Sequence, residues 1–222
     1  MYSFPIEYIE PVFRPPSEAK SLILPVTNGC SWNQCTFCEM YTQPQKKFRA
    51  RKPEDIRADI AKAAEAFGDV RRVFLADGDA MVLPTRRLLE ILSDLKTAFP
   101  GLQRVSSYCL PRNLAKKSVE DLVQLREAGL GILYVGMESG DDEVLKRINK
   151  GESWESTRSA LTKIREAGCL TAWVVKPCRA SMPSTPPPCA TKPSRIICRH
   201  WLSAFLRAKS VSGRVLVMIS YP

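Results

Sequence analysis

The chain of 222 residues contains only one histidine, His200, and no uninterrupted apolar run of about 18 residues. The scarcity of histidine leaves few ligands for a closed zinc site, and the short apolar runs argue against a membrane-spanning helix. The N-terminal sequence MYSFPIEYIEPVF lacks the basic start and apolar stretch of a secretory signal. We therefore expect a cytoplasmic protein with no membrane partner.

Acidic residues are absent from the C-terminal part of the chain. Residues 1–166 contain 25 Lys and Arg against 23 Asp and Glu, whereas residues 167–222 contain 8 basic residues and no acidic one. The net charge of +10 therefore belongs mainly to this last segment. A basic segment can bind a phosphate backbone, but this one has no interleaved aromatic residues and no nucleic-acid-binding motif. Nucleic acid is not the partner that we expect, and binding through the basic segment is kept as an alternative.

Short apolar strands alternate with amphipathic helices in the first three quarters of the chain. The predicted strands are Ser21–Thr27, Arg72–Leu75, Arg104–Tyr108 and Ile132–Met137, and the predicted helices are Pro53–Phe67, Thr85–Ala98, Ser118–Ala128, Asp141–Ile148 and Glu155–Ala167. Strands that alternate with helices of this length predict a parallel sheet with right-handed crossovers. The fold class is therefore α/β, as an open sheet or a partial β/α barrel.

The alternation stops after Gly168. The segment Lys176–Arg195 is rich in Pro, Ser, Thr and Cys and offers almost nothing for a core. One interpretation is a disordered linker before short apolar elements around Trp201–Leu206 and Val215–Ile219. The other is a frame-shifted continuation of the β/α pattern. We expect an N-terminal extension (1–20), a core that lacks its last strands (21–168) and an irregular basic tail (169–222).

Three of the eight cysteines lie close together, on the loop that follows the first strand. Cys30, Cys35 and Cys38 fall within nine residues. In a reducing compartment such thiols are interpreted as metal ligands rather than as a disulfide framework. Iron–sulfur clusters take thiolate ligands and usually have four, so three cysteines leave one iron with an open site. A zinc-binding structural or regulatory module is the alternative, although it needs a fourth ligand.

The cysteine loop resembles that of the radical SAM superfamily. That family usually has Cys-x3-Cys-x2-Cys with an aromatic residue before the third cysteine, a position that Phe37 fills here; this chain has one more residue between Cys30 and Cys35. The resemblance implies a [4Fe–4S] cluster on the three cysteines and S-adenosylmethionine (SAM) bound beside it. It also implies that the backbone of Phe37 lies beside the adenine.

Further matches to the family follow the second, third and fourth strands. Asp77, Gly78 and Asp79 stand where the family binds the amino group of SAM, and Tyr108 stands where the third strand lines the SAM site. The order of these matches resembles oxygen-independent coproporphyrinogen oxidases and Elongator-type tRNA-modifying enzymes.

The fourth strand is followed by an acidic and a basic candidate. The resemblance implies that Glu138 accepts a hydrogen bond from a ribose hydroxyl or the amino group of SAM, and that Lys150 pairs with the carboxylate of SAM. The carboxyl ends of parallel strands are where ligand sites of α/β proteins form.

The function that we expect for this chain is the chemistry of the family that it resembles. The resemblance implies an enzyme that forms a 5′-deoxyadenosyl radical and abstracts hydrogen from an unknown substrate, either a small molecule or RNA-borne. A reductase or a flavodoxin-type protein would donate the electron. The family core has about six β/α units, so the expected loss of the last strands could leave this chain inactive. The basic stretch from Lys46 to Arg51 is interpreted either as a contact for an anionic substrate or as a solvated charge run.

Overall fold

A computed structural model describes residues 5–175 and 215–219. Its strands are β1 (Leu22–Pro25), β2 (Thr27–Asn28), β3 (Arg49–Ala50), β4 (Arg72–Ala76), β5 (Arg104–Cys109), β6 (Leu130–Gly136), β7 (Leu170–Val175) and β8 (Val215–Ile219). Its α-helices are α1 (Pro53–Ala66), α2 (Thr85–Ala98), α3 (Val119–Glu127), α4 (Asp142–Arg147) and α5 (Trp154–Glu166). Short 3₁₀ turns include Pro16–Glu18 and Pro111–Leu114. Among residues 5–175 and 215–219, no helix combines the length and the hydrophobicity that a transmembrane span requires.

Six parallel strands form the main sheet, in the order β1-β4-β5-β6-β7-β8. The order follows the chain, so each crossover places the next strand beside the last, as right-handed β/α units do. Strands β2 and β3 form a separate antiparallel ribbon, in which Thr27 pairs with Ala50 and Asn28 with Arg49. The prediction of an α/β fold with a parallel sheet is confirmed.

The two faces of the sheet carry different cores because side chains alternate along each strand. On one face, residues such as Val73 and Leu75 join the large core that helices α1, α2, α3 and α5 cover. On the other face, Phe74 and Tyr134 form a smaller cluster, against which Tyr108 packs from β5. Tyr108 connects this second face with the predicted site residues, since Asp77 and Cys38 lie near it.

Local sequence signals explain where the helices begin. Ser118 accepts a hydrogen bond from the backbone N–H of Asp121 (3.1 Å), and the Asp121 carboxylate accepts one from the N–H of Ser118 (2.9 Å). This reciprocal capping box starts α3, even though Asp takes the usual place of Glu. Helix α1 starts with Pro53 in its first turn, where proline has no hydrogen bond to lose.

The sheet continues past Gly168, which differs from the expectation of a core that lacks its last strands. Strand β7 pairs with β6 from Ile132 and Leu170 onward, and β8 pairs with β7. These are the fifth and sixth parallel strands. The sequence LTAWVV has the β-branched residues of a strand, but the proline-rich sequence after it masked the signal. The interpretations of Lys176–Arg195 and Trp201–Leu206 lie outside the described residues.

The last part of the N-terminal extension covers the end of the sheet opposite the predicted site, whereas Glu10 and Phe13 contact the loop that follows β2. Glu18, fully buried, accepts hydrogen bonds from Tyr134 Oη (2.6 Å), Arg104 (3.0 Å) and Ser21 Oγ. Ser17 Oγ lies 2.7 Å from the same tyrosine hydroxyl. Because Ser21 precedes β1 and Arg104 begins β5, this network ties the extension to the amino ends of the strands.

Candidate functional site

The loop that carries the three cysteines spans residues 29–48, between β2 and β3, and is called the cysteine loop here. The ribbon fixes both of its ends. The side-chain amide of Asn28 reinforces this closure by donating to the carbonyls of Gln45 (2.8 Å) and Lys47 (3.0 Å). The loop is therefore anchored at its base, directly beyond the carboxyl end of β1.

The three thiols are partly buried and close enough to influence one another. Burial raises the pKa of Cys30, against the effect of backbone N–H groups of Asn33 and Trp32 that donate to its sulfur. Burial also raises the pKa of Cys35 to about 11, against the lowering effect of the Lys150 ammonium. Backbone donors and a nearby cation both favour a thiolate once a metal displaces the proton.

A ready-made site for a single metal ion is absent from the described part of the chain. No group of three Cys, His, Asp or Glu side chains there is placed to hold one ion. A closed tetrahedral zinc site takes four converging ligands. An iron–sulfur cluster takes thiolate ligands, and three thiols would leave one of its irons open.

Glu138 and Lys150 meet at the carboxyl end of β6. Lys150 Nζ lies 3.2 Å from Glu138 Oε1 and 6.0 Å from the centre of the Phe37 ring. Burial lowers the pKa of Lys150, but Glu138 and the Cys35 thiol outweigh it, and the net shift is upward. Gly136 leaves the space for this pair, because a Cβ there would lie 2.9 Å from Lys150 Nζ. An acidic, a basic and an aromatic candidate thus surround Cys35.

The loop after β4 packs directly against the cysteine loop. Gly78 has a φ of +69°, and a Cβ there would lie 2.5 Å from the carbonyl oxygen of Gly29. Asp79 is fully buried and accepts hydrogen bonds from Ser31 Oγ and Asn113 Nδ2. Burial raises the pKa of Asp79, and these two donors oppose that shift. The carboxylate therefore holds the start of the cysteine loop in place.

The carboxylate of Asp77 is engaged by a residue of the cysteine loop. Lys46 forms a buried ion pair with Asp77; the two side chains are 1% and 2% exposed. Burial raises the pKa of Asp77, and the hydrogen bond and charge of Lys46 oppose the shift. The basic stretch that begins at Lys46 is therefore not uniformly solvated: Lys46 is buried, and Arg51 forms an ion pair with Asp59.

Tyr108 belongs to an aromatic cluster beneath these loops. Its ring centroid lies 5.0 Å from that of Phe74 and 6.2 Å from that of Tyr134, both in edge-on arrangements. Burial raises the pKa of Tyr108, and the nearby Tyr134, Asp77 and Cys38 side chains raise it further. The residue is partly exposed, so its ring forms part of the floor of the site.

Several residues that hold the cysteine loop carry little recognisable signal in the sequence. Trp32 Nε1 donates to the carbonyl of Asn149 (2.8 Å), and the Arg112 guanidinium stacks on the Trp32 ring at 4.1 Å. Lys46 was singled out only as part of a charge run. No periodicity marks these residues, because their contacts join segments that are distant in sequence. A tryptophan inside a polar metal loop was the one available signal.

Comparison with known proteins places this arrangement in a family. The family model of the Radical SAM superfamily matches residues 24–175, more than half of the chain. The 4′-phospho-dehydrooxetanocin synthase of Priestia megaterium is 27% identical over 167 residues, which are 67% of this chain and 22% of that protein. The oxygen-independent coproporphyrinogen III oxidase of Bradyrhizobium diazoefficiens is 26% identical over 141 residues, 60% of this chain and 31% of that protein.

Solved structures agree on the fold. The crystal structure of methylornithine synthase superposes with a TM-score of 0.59 at 18% identity, and the match covers 91% of this chain and 53% of that one. The chain spans only about a fifth to a third of the curated relatives named above. The extent of the family match, together with the cysteine loop on a parallel β/α sheet, leads to one conclusion: the chain belongs to the radical SAM superfamily.

Proposed function

We propose that the chain is a radical SAM enzyme, which binds a [4Fe–4S] cluster through Cys30, Cys35 and Cys38 and SAM beside it, and acts on a substrate still to be identified. The observation that carries the proposal is the placement of the buried Lys150–Glu138 pair next to Cys35 and Phe37. Three thiols leave one iron free for a chelating ligand. A cation and a carboxylate beside that position suit the carboxylate and ammonium of an amino acid.

The residues present fit the cluster and SAM. The cluster would supply one electron to the sulfonium of SAM, which releases methionine and a 5′-deoxyadenosyl radical. Lys150 would bind the SAM carboxylate, and Glu138 would accept hydrogen bonds from its amino group or ribose. Phe37 would present its backbone to the adenine, and Tyr108 would close the site from below.

The segment Asp77–Asp79 would contact SAM from the other side of the cysteine loop from Lys150. Gly78 lets the backbone of this segment approach Gly29 and Cys30 closely. Both carboxylate oxygens of Asp79 accept hydrogen bonds from the protein, whereas only Oδ2 of Asp77 does, and Asp77 Oδ1 is buried without a hydrogen-bond partner among the described residues. That oxygen and the backbone carbonyls of this segment are therefore the acceptors that would receive the amino group of SAM. A reductase or flavodoxin-type protein would donate the electron. The relatives act on different compounds, so none of their substrates is carried over.

The test is anaerobic reconstitution of the full chain with iron and sulfide, then reduction and an assay for 5′-deoxyadenosine from SAM. The wild-type protein should become brown and form 5′-deoxyadenosine. Cys35→Ala should lose both the cluster and the product, whereas Cys169→Ala, which changes a cysteine outside the loop, should keep both. A colourless protein that binds zinc in stoichiometric amount would contradict the proposal and support the zinc-binding module.

A further inference from the structure

The cysteine loop rests on the turn between α4 and α5, residues 148–152. Thr36 N donates to Ile148 O (3.0 Å), Trp32 Nε1 donates to Asn149 O (2.8 Å), and Asn149 Nδ2 donates to Gln34 O (2.9 Å). These three bonds lie on both sides of Cys35. The segment between the cysteines has no regular secondary structure, so its shape depends on such contacts.

Arg112, which lies in the 3₁₀ turn after β5, stabilises the contact between the cysteine loop and the 148–152 turn. Its guanidinium lies 4.1 Å above the Trp32 ring, a cation–π distance. Its Nε donates to Glu152 Oε1 (2.8 Å), its backbone N–H donates to the same oxygen (3.1 Å), and its NH2 group donates to Gly151 O. The Glu152 side chain is 3% exposed. Arg112 thus binds the tryptophan and the 148–152 turn at once.

Gly151 allows the tryptophan to lie flat on the turn. A Cβ at Gly151, where φ is +68°, would overlap the Trp32 ring. Ring, turn and guanidinium are therefore in direct contact, with no room for a side chain between them.

The same turn carries Lys150. A displacement of the turn from the cysteine loop therefore moves the Lys150 ammonium away from Cys35 and strains its bond to Glu138. We propose that the 148–152 turn is a positioning element: Trp32, Asn149 and Arg112 hold Lys150 beside Cys35 and thereby set the affinity for SAM. The proposal rests on the proposed function, since it assigns these residues to the SAM site that Lys150 would form.

Residues that orient the ligands of a metal site commonly change metal affinity or activity by about 10–100-fold when they are replaced, and we expect residues that orient Lys150 to act on SAM binding at the lower end of that range. Trp32→Ala and Arg112→Ala should therefore keep the iron and sulfide content of the wild type and raise the dissociation constant for SAM about tenfold. The measurement is a SAM titration of the reduced, reconstituted full chain, followed by the change in the electron paramagnetic resonance spectrum of the cluster. Arg86→Ala, at a surface arginine that is 92% exposed on α2, is the matched control and should bind SAM as the wild type does.

A double-mutant cycle separates positioning from general destabilisation. If Arg112 acts through Lys150, then Arg112→Ala should weaken SAM binding in the wild type but not further in Lys150→Met. Equal effects in both backgrounds would overturn the proposal. A wild-type protein that takes up no cluster, or whose spectrum does not respond to SAM, would instead overturn the proposed function.

Conservative variants keep the test decisive if an alanine variant fails to fold. Trp32→Phe keeps an aromatic ring under Arg112 but loses the N–H that donates to Asn149. Arg112→Lys keeps the positive charge but loses the stacking of the planar guanidinium on Trp32 and its hydrogen bond to Glu152. Both should raise the dissociation constant for SAM by less than the alanine variants do. Unchanged affinity in both would overturn the proposal.

Discussion

Lys150 and Glu138 form an ion pair of 3.2 Å in which both side chains are less than a tenth exposed, 6% and 7%. Twelve residues separate them in sequence, and helix α4 brings them together above the end of β6. The pair lies beside Cys35 and Phe37, so it is a structural component of the site before any ligand binds.

Removal of one member of this pair should destabilise the metal-free protein. Lys150→Met leaves the Glu138 carboxylate without its ammonium, and we expect a loss of about 3 kcal/mol in the free energy of unfolding. Lys150→Met combined with Glu138→Gln should recover much of that loss, because the buried carboxylate charge is then removed as well. Urea unfolding under reducing conditions measures both. The surface variant Arg86→Met should cost under about 1 kcal/mol. A double variant less stable than Lys150→Met would contradict the argument.

The sequence was sufficient to predict the parallel sheet and the main helices, because their periodicity is local. Helix Thr85–Ala98 has the predicted limits. The roles of Glu138 and Lys150 in SAM binding stay predictions, and the ion pair between them was not predicted from the sequence. The partners of Asp77 could not be predicted, because Lys46 reaches it from another loop through tertiary packing alone. Strand β7 was missed because the composition after it obscured a signal that spans only six residues.

The loop after β4 approaches the cysteine loop closely at Gly78. Alanine substitutions at Gly78, Gly129 and Gly68 should therefore change the free energy of unfolding to different extents. Gly78→Ala introduces a Cβ at 2.5 Å from Gly29 O, at a φ of +69°, and should cost more than the about 1–2 kcal/mol of a left-handed alanine alone. Gly129→Ala has a φ of +117° but no atom within 4 Å of the new Cβ, so it reports backbone strain without collision. Gly68→Ala has neither problem and should be neutral or stabilising by up to about 1 kcal/mol.

Chemical denaturation of the three glycine variants measures the order of their costs. Only Gly78→Ala should also lower the iron content after reconstitution, because only that position supports the cysteine loop. Equal stability and equal iron content of Gly78→Ala and Gly129→Ala would contradict this prediction.

The buried Lys46–Asp77 ion pair leads to a prediction about two substitutions, of which the second should partly compensate the destabilisation caused by the first. Lys46→Met leaves a buried carboxylate without a counter-ion and should cost about 3 kcal/mol, which lowers the melting temperature by about 6–12 °C for a chain of this size. Adding Asp77→Asn removes the lone charge and should restore part of the melting temperature. Differential scanning calorimetry of the reduced, metal-free protein measures the shift. Lys47→Met, at an exposed neighbour, is the control and should melt as the wild type does. A wild-type melting temperature in Lys46→Met would show that the pair does not stabilise the fold.

The hydroxyl of Tyr134 predicts a pH dependence that is separate from the cysteine loop. Burial and the hydrogen bond to Glu18 raise the pKa of Tyr134 to about 12. A raised pKa means that the native state holds this proton more tightly than the unfolded chain. The stabilisation is therefore complete below pH 10 and is lost as the pH rises from 10 toward 12.

Tyr134→Phe should be less stable than the wild type at pH 9 by about 1–2 kcal/mol, because Glu18 loses a donor. Between pH 10 and 12 the wild type loses the stabilisation that the Tyr134 hydroxyl provides, whereas Tyr134→Phe lacks that hydroxyl at every pH. The difference in the free energy of unfolding between the two proteins should therefore decrease by up to about 2 kcal/mol. Tyr8, whose pKa burial also raises to about 12, titrates in both proteins and cancels in the comparison. Urea unfolding at half-unit steps from pH 9 upward measures the difference. If the difference stays constant across this range, the Tyr134 hydroxyl is not the group whose proton the fold retains.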